Sequence, residues 1–393
     1  MKKSIYFDVL IVYNEKFSSS SSNNAIENKT PFSDKFDNES YNIVYGHFLE
    51  VCEKFKLKVA FTTSADIVGM GLCKSFWSYK NKKWSKNNSL CSSKLIFDKF
   101  APTNKGIASR RDLLFSSKKI KPFNEAGLFN LFFDKQETYN ELSKYSIPTI
   151  SLEENNLESI NNACSALAEL TSQHPHAKDF SSDIVMKDEF GAGGENVYKF
   201  KSKQFKEILA ITLKNSKVSF IIQPFVKFDQ GFSYHNAPAT TDIRFVYLSG
   251  KIVQSYIRIA KNGDFRCNEH LGGALTYLPL EEIPQKLVAK ANIISKILND
   301  KSSLYALDFV ISNNGNVYLL EGNSMPGLDW NMSLKDNEIK AKKLIELVVK
   351  EMIKRTKTKV THRLIKPIKK IKFDKIISSI EELKAPVRPL IFS

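Results

Sequence analysis

The sequence predicts an open α/β domain followed by a longer mixed region of helices and strands, and three observations predict it. Short apolar runs alternate with stretches of helical spacing as far as about residue 125, the pattern of strands and helices alternating in an α/β sheet. A glycine loop, Gly191-Ala192-Gly193-Gly194, then joins one apolar run to another. Finally, Leu304–Trp330 reads LYALDFVISNNGNVYLLEGNSMPGLDW, two apolar runs around Asn314-Gly315, the strongest short signal for a β-hairpin because both turn positions need positive φ.

Taken in order, Ile5–Tyr13 reads as a buried strand and the serine/asparagine tract Ser18–Asn24 as a mobile loop. Tyr41–Phe55 has helical spacing, Leu57–Thr62 is a short strand, Phe76–Trp84 is an aromatic, lysine-rich hairpin, and Leu95–Phe97 opens a strand ahead of Asp98-Lys99. A second region begins near Phe123-Asn124. A helix opens at Asp134, Leu157–Gln173 forms an amphipathic helix, and strands Ile184–Lys187 and Asn196–Phe200 flank the glycine loop. Phe205–Lys214 is a helix and Ser219–Gln223 a strand running into Pro224. Asp242–Leu248 and Lys251–Ile259 are strands joined by Ser249-Gly250, Ile283–Leu298 is a helix, and Asn337–Lys354 is an amphipathic helix leading into a basic tail.

Composition narrows the function classes. The 393 residues suffice for two or three domains with real cores, and 42% apolar with 25% charged content is that of an ordinary globular protein. Five cysteines without a C-x-x-C pair argue against a disulfide framework or a zinc site, so the expected compartment is the cytoplasm. Asp8 interrupts the first apolar run, which is therefore expected to be a strand rather than a signal peptide. No apolar stretch approaches the ~20 residues of a membrane span. The net charge is +16, and seventeen lysines and arginines against seven acids follow Ser333. Such an excess suits a solvated helix or an acidic partner. The nucleic-acid alternative lacks a recognisable reading motif.

The hairpin carries the sharpest chemistry. With Asn314-Gly315 as the loop, Asn313 faces Asn316 and Asp308 faces Glu321. Directly opposed Cβ atoms lie about 4.5–5.5 Å apart, and two carboxylates there repel by roughly 3 kcal/mol at an effective dielectric near 20. A cation or a shared proton must offset that repulsion. Asn323 lies on the same face as Glu321, which makes a hard-oxygen set suited to Mg²⁺ with phosphates.

Other motifs extend this reading. Gly191, Gly193 and Gly194 let backbone N–H groups approach phosphate oxygens, although neither a P-loop nor a Rossmann fingerprint is present. Lys187 supplies a cation beside the loop, and Lys135 is a second candidate phosphate lysine. Asp242 and Arg244 share a strand face. With Arg258 and Arg266-Cys267-Asn268, they line a basic, polar approach to the acidic hairpin. No Ser-His-Asp arrangement stands out.

These residues together resemble the ATP-grasp superfamily, in order and in spacing. The resemblance runs from Lys187 and the GAGG loop through Gln223-Pro224-Phe225-Val226, Asp242-x-Arg244, Arg258 and Arg266-x-Asn268 to Asp308…Glu321-x-Asn323-x-x-Pro326-Gly327. It covers roughly residues 125–350 and is most similar to the branch of glutathione synthetase and the ribosomal-protein S6 glutamate ligase. It implies an α/β N-terminal (pre-ATP-grasp-like) domain over 1–124, followed by an α+β ATP-grasp domain of two subdomains, 125–222 and 223–350, with a basic tail over 351–393. Lys135 and Lys187 would contact ATP, Gln223 with Phe225 and Val226 the adenine edge, and Asp229 or Gln230 the ribose. Asp308, Glu321 and Asn323 would hold Mg²⁺, or Mn²⁺ in its place. Arg244, Arg258 and Asn268 would face the acyl phosphate and the substrate carboxylate. Ala306 stands where D-alanine–D-alanine ligases carry an arginine, which weakens that reading.

The implied activity is ADP-forming carboxylate–amine ligation on an amino acid or small peptide, or on an acidic peptide or protein tail. The alternative is a non-catalytic module of the same fold. The sequence leaves the oligomeric state open.

Overall fold

The computed structural model describes residues 4–23, 29–32, 40–102, 105–191, 193–235, 237–299, 302–329 and 334–357. Asn24, Ala192, Trp330 and the part of the basic tail beyond Lys357 lie outside these residues. The chain divides into two compact units, one formed by residues 1–126 with 327–393 and the other by 127–326. The division falls two residues from the boundary read at 124. The C-terminal helix belongs to the first unit instead of following the strands of the second.

The first unit is built on a six-stranded sheet in the order Lys121–Pro122, Leu95–Lys99, Val9–Tyr13, Val59–Thr63, Phe76–Lys80, Lys83–Asn87. The first four run parallel and the last two form an antiparallel hairpin. Val9–Val12 are fully buried, as strands covered on both faces must be. The apolar run Ile5–Tyr13 is not one strand, however. Ile5–Tyr6 breaks away into a smaller sheet and pairs with Cys91–Ser92. The helices Ser40–Lys54 and Lys335–Lys357 also belong to this unit. Arg355 lies 3.9 Å over the Phe123 ring and hydrogen-bonds both the Phe123 carbonyl and Glu351. The sequence reading passed over the helix Lys105–Leu114, whose polar face obscures its spacing.

The serine tract corrects an expectation. Ser18, Ser19 and Ser21 are buried, and the Ser20 hydroxyl donates to Asp66 at 2.5 Å while the Trp77 indole donates to the Ser19 carbonyl at 2.8 Å. Small hydroxyl side chains here satisfy a buried carboxylate and one another, so low complexity does not mean a solvent loop.

The second unit is built on two antiparallel sheets, beside a two-stranded ribbon of Ser233–Tyr234 and Ala237–Pro238. The smaller has the order Ile150–Ser151, Phe220–Val226, Phe180–Asp188, Val197–Phe200, and its core includes the helices Leu157–Ser172 and Phe205–Lys214. The first of these helices is capped by Asn156, which accepts from the Ser159 amide. The larger sheet has the order Ala274–Tyr277, Lys251–Ile259, Thr241–Leu248, Leu304–Ile311, Val317–Asn323. Both Thr241–Leu248 and Leu304–Ile311 are buried at every position. Its core draws on the helices Gln285–Leu298, Ala126–Phe133 and Lys135–Leu142. The strand expected to stop before Pro224 runs through it to Val226. Pro224 pairs with Ile184 beside a register shift in the partner strand, where the missing N–H is tolerated.

The hairpin register is reached differently from the way the sequence suggested. Ser312 N–H donates to the Asn316 carbonyl and Gly315 N–H to the Ser312 carbonyl, each at 2.7 Å. The loop is therefore three residues, Asn313–Gly315, and of the Asn-Gly pair only Gly315 has positive φ, at 78°. Ile311 faces Val317 and Phe309 faces Leu319, until an irregularity at Leu320 restores Asp308 opposite Glu321. The longer turn and the bulge each shift the register by one residue, and the two shifts cancel.

Gly322 in that strand fits closely. A Cβ placed there would lie 2.2 Å from the buried Phe132 ring. Gly322→Ala is expected to destabilise the second unit by about 1–3 kcal/mol through overpacking, read as a lower urea midpoint, with partial recovery in Gly322→Ala/Phe132→Leu.

Candidate active site

The larger strands of the second unit converge on one cavity, and a concave space walled by apolar residues with a few polar groups is the usual form of a small-molecule site. Lys135, Lys187, Gln223, Arg258, Asn268 and Glu321 all line it, so residues far apart in the sequence meet in one space.

Lys187 stands near the end of Phe180–Asp188, between Val197 and Ile221 on its neighbours. Burial pushes its ammonium down to about 8; Glu321 opposes the fall, Lys135 adds to it, and Asp242 opposes it more weakly. Lys135 sits at the start of a helix capped by Asp134. Its ammonium donates to the carbonyls of Asp188 at 2.9 Å, Glu189 at 3.3 Å and Gly191 at 2.5 Å. Burial lowers its pKa too, against the pull of Glu321. Lys135 therefore binds the base of the glycine loop. Gly193 and Gly194 have φ of 72° and 79°, and a Cβ on Gly194 would come within 2.6 Å of the Asn268 side-chain oxygen, so the loop rests against Asn268.

On the strand Phe220–Val226, Gln223 is buried and donates to the Thr149 hydroxyl at 2.9 Å. Phe225 and Val226 follow along the cavity wall, and the Lys199 ammonium lies 3.3 Å from the centre of the Phe225 ring. Asp229 and Gln230 are not among the lining residues. Both are exposed, and Asn313 in the hairpin turn holds them, donating to Asp229 and accepting from the Gln230 amide at 2.9 Å each.

The opposed carboxylates have found cations. Arg244 donates to Asp308 through Nε and Nη2, both at 2.5 Å, and Arg258 Nη2 adds a third bond at 2.7 Å. Arg258 also grips Asp242 through Nε at 2.8 Å and Nη2 at 2.9 Å. Glu321 Oε1 lies 3.8 Å from Arg244. The cross-strand pairs Asp242↔Arg258 and Arg244↔Asp308 put this alternation of charge on one sheet face. Burial pushes Asp308 up, but Arg244 and Arg258 outweigh it and hold the carboxyl at about 2. For Asp242 burial prevails over Arg258 and raises it to about 6. Arg244 and Asp308 lie behind the lining residues, whereas Asp242 and Arg258 reach the cavity.

Asn323 faces Ala306, on the same sheet face as Glu321, and its Oδ1 accepts from the Met325 amide at 2.8 Å. Among the described residues no group of three or more His, Cys, Asp or Glu side chains is arranged to hold a metal ion. The sequence reading missed Asp242 as an anchor for Arg258, and it missed the cavity-lining Leu320. Only the period-2 placement of Asp242 with Arg244 hinted at the first.

Two antiparallel sheets with paired lysines, a glycine loop and an acidic hairpin define an ATP-grasp fold. D-alanyl-alanine synthetase A from Vibrio cholerae has the same fold over 90% of this chain and 99% of its own, with a TM-score of 0.53 and 14% identity. The ATP-grasp ligase PsnB, solved with a phosphomimetic variant of its minimal precursor, Mg and ADP, matches over 88% of this chain and 99% of its own, with a TM-score of 0.50 and 9% identity. A family profile, the RimK-like ATP-grasp domain, matches residues 149–348, and the chain belongs to that family. It is also 28% identical over 215 residues to a probable α-L-glutamate ligase of Haemophilus ducreyi, covering 55% of this chain and 62% of that one. The chain thus spans less than two thirds of that relative's length. No helix among the described residues is long and apolar enough to cross a membrane.

Proposed function

We propose that the chain is an ATP-dependent carboxylate–amine ligase that forms an amide bond on an amino acid or peptide and releases ADP. The observation that carries this is the single cavity in which two half-buried lysines, the Gln223–Val226 wall, Glu321 and the Arg258–Asn268 side meet. Cations at one end and hydrogen-bonding strand at the other suit a nucleotide. The fit to Mg²⁺ rests on Glu321, whose side chain is 32% exposed, and on Asp308. Three guanidinium contacts use three acceptor positions of Asp308, out of about four on a carboxylate. Glu321, with Asp308 and Asn323, would hold the ion.

When bound, Mg-ATP supplies the phosphoryl group that turns an inert carboxylate into an acyl phosphate, from which an attacking amine displaces phosphate. The protein's part is to position and neutralise. Lys187 and Lys135 would offset phosphate charge at the glycine loop. Arg258, fixed by Asp242, and Asn268 would orient the carboxylate under attack. The glycine loop would exclude water from the activated intermediate.

L-glutamate is the first amine to test, because the Haemophilus relative is named a probable α-L-glutamate ligase. The net charge of +16 favours an acidic peptide acceptor. The test is an ADP-release screen over paired acids and amines. Amine-stimulated release is expected with at least one pair, and about 10²-fold less with Glu321→Ala. Tight Mg-ATP binding without stimulation by any pair would instead mean a nucleotide-binding module.

A further inference from the structure

We propose that the strand Lys83–Asn87 of the first unit is a docking edge for an extended acidic peptide, which adds to the six-stranded sheet as a further strand. The strand closes the sheet, and among the described residues it pairs only with Phe76–Lys80. The turn between them is Asn81-Lys82, with φ of 50° and 60°, the two-residue geometry of a tight hairpin. Lys80↔Lys83 and Ser78↔Ser85 are then the hydrogen-bonded pairs, which leaves the N–H and C=O groups of Trp84 and Lys86 directed away from the sheet.

Charge identifies the partner. Lys80, Lys82, Lys83 and Lys86 are all exposed, and Phe76–Leu90 contains no aspartate or glutamate. Lys80 and Lys83 stand directly opposite each other, an arrangement of like charges that costs stability unless an anion lies beside it. Edge lysines also deter pairing with another copy of the same strand. The pattern that repels a second copy admits a strand of glutamates. The edge is held from beneath: the Trp84 indole donates to the Asn42 carbonyl at 3.2 Å, and Lys86 donates to the Asn23 carbonyl at 2.7 Å while lying over Trp77. A partner strand would meet a preformed edge, with main-chain bonds giving affinity and the lysines giving selectivity.

The inference goes beyond the ligase reading and is tested without nucleotide. Fluorescence anisotropy with a labelled hexapeptide of alternating Glu and Thr should show binding that weakens steeply with salt. Lys80→Glu/Lys83→Glu, both on the exposed face, should weaken it about tenfold or more without altering the circular dichroism spectrum. Two forms of the peptide, N-methylated at odd or at even residues, have equal charge. Only one should lose binding, because an added strand presents every second N–H to the edge. Equal binding by both methylated forms would overturn strand addition. Unchanged binding to the lysine variant, or a preference for oligothymidylate over the peptide, would overturn the acidic-peptide assignment.

Discussion

Lys187→Met is expected to lower amine-stimulated ADP release about 10²- to 10³-fold, the usual cost of removing one preorganised charge-stabilising group. Methionine keeps most of the side-chain volume, so the change is chiefly one of charge. Glu321 and Asp242 both favour the charged lysine, yet burial still lowers it to about 8. If its ammonium is required, turnover should fall as pH rises past about 8, while Lys187→Arg should lose that limb. Stability should move the opposite way. The ordinary value for the group is 10.5, so between about 8 and 10.5 the unfolded chain binds more protons than the folded one, and stability rises with pH across that window. Urea midpoints across the window should rise less steeply in Lys187→Met than in the parent chain. Equal slopes would mean that Lys187 titrates in the folded chain as it does in the unfolded one, and undiminished ADP release in the variant would remove it from the site.

The sequence made much of this arrangement legible, and for definable reasons. The Ser249-Gly250 turn between two apolar runs located the strands Thr241–Leu248 and Lys251–Ile259 to within a residue, because a turn signal flanked by strand-forming residues marks a hairpin. The pairing of Asp308 with Glu321 was reached through a two-residue turn that is in fact three residues long, and the bulge at Leu320 compensated for it. A bulge leaves no compositional trace, so register can be inferred correctly there only by chance. The repulsion argument demanded a cation, and the folded chain supplies Arg244 and Arg258 from neighbouring strands. Sequence spacing could place those arginines near the site but could not show which carboxylates they satisfy. The Ser18–Asn24 tract misled because composition reports polarity and not burial, and a buried Asp66 turns hydroxyls into core partners. Asp229 and Gln230 were carried by position alone, and spacing could not show that Asn313 of the hairpin turn would bond both of them.

Truncating Arg258 to leucine should cost the second unit about 3–5 kcal/mol, the range for breaking a buried ion pair from one side. Arg258 makes two bonds to Asp242 and one to Asp308, and both carboxylates are buried. Leucine would leave Asp242 with no guanidinium and Asp308 with Arg244 alone. The loss should depend on pH with a definite sign. Asp242 is already raised to about 6 by burial, against Arg258, from an ordinary value of 3.8. Between those values the folded state binds the extra proton, so this group's contribution falls as pH rises. Removing Arg258 should push the value higher and extend that fall toward neutral pH. The deficit in urea midpoint should therefore be smaller in acid and grow as pH rises past about 6. Asp242→Asn removes the stranded charge, so Asp242→Asn/Arg258→Leu should recover part of the loss and be less unstable at neutral pH than Arg258→Leu alone, a coupling that a double-mutant cycle measures. Strict additivity, or a single-variant cost below about 1 kcal/mol, would mean that Arg258 is held loosely enough for solvent to replace it. In that case Asp242 would not be what fixes its position in the cavity.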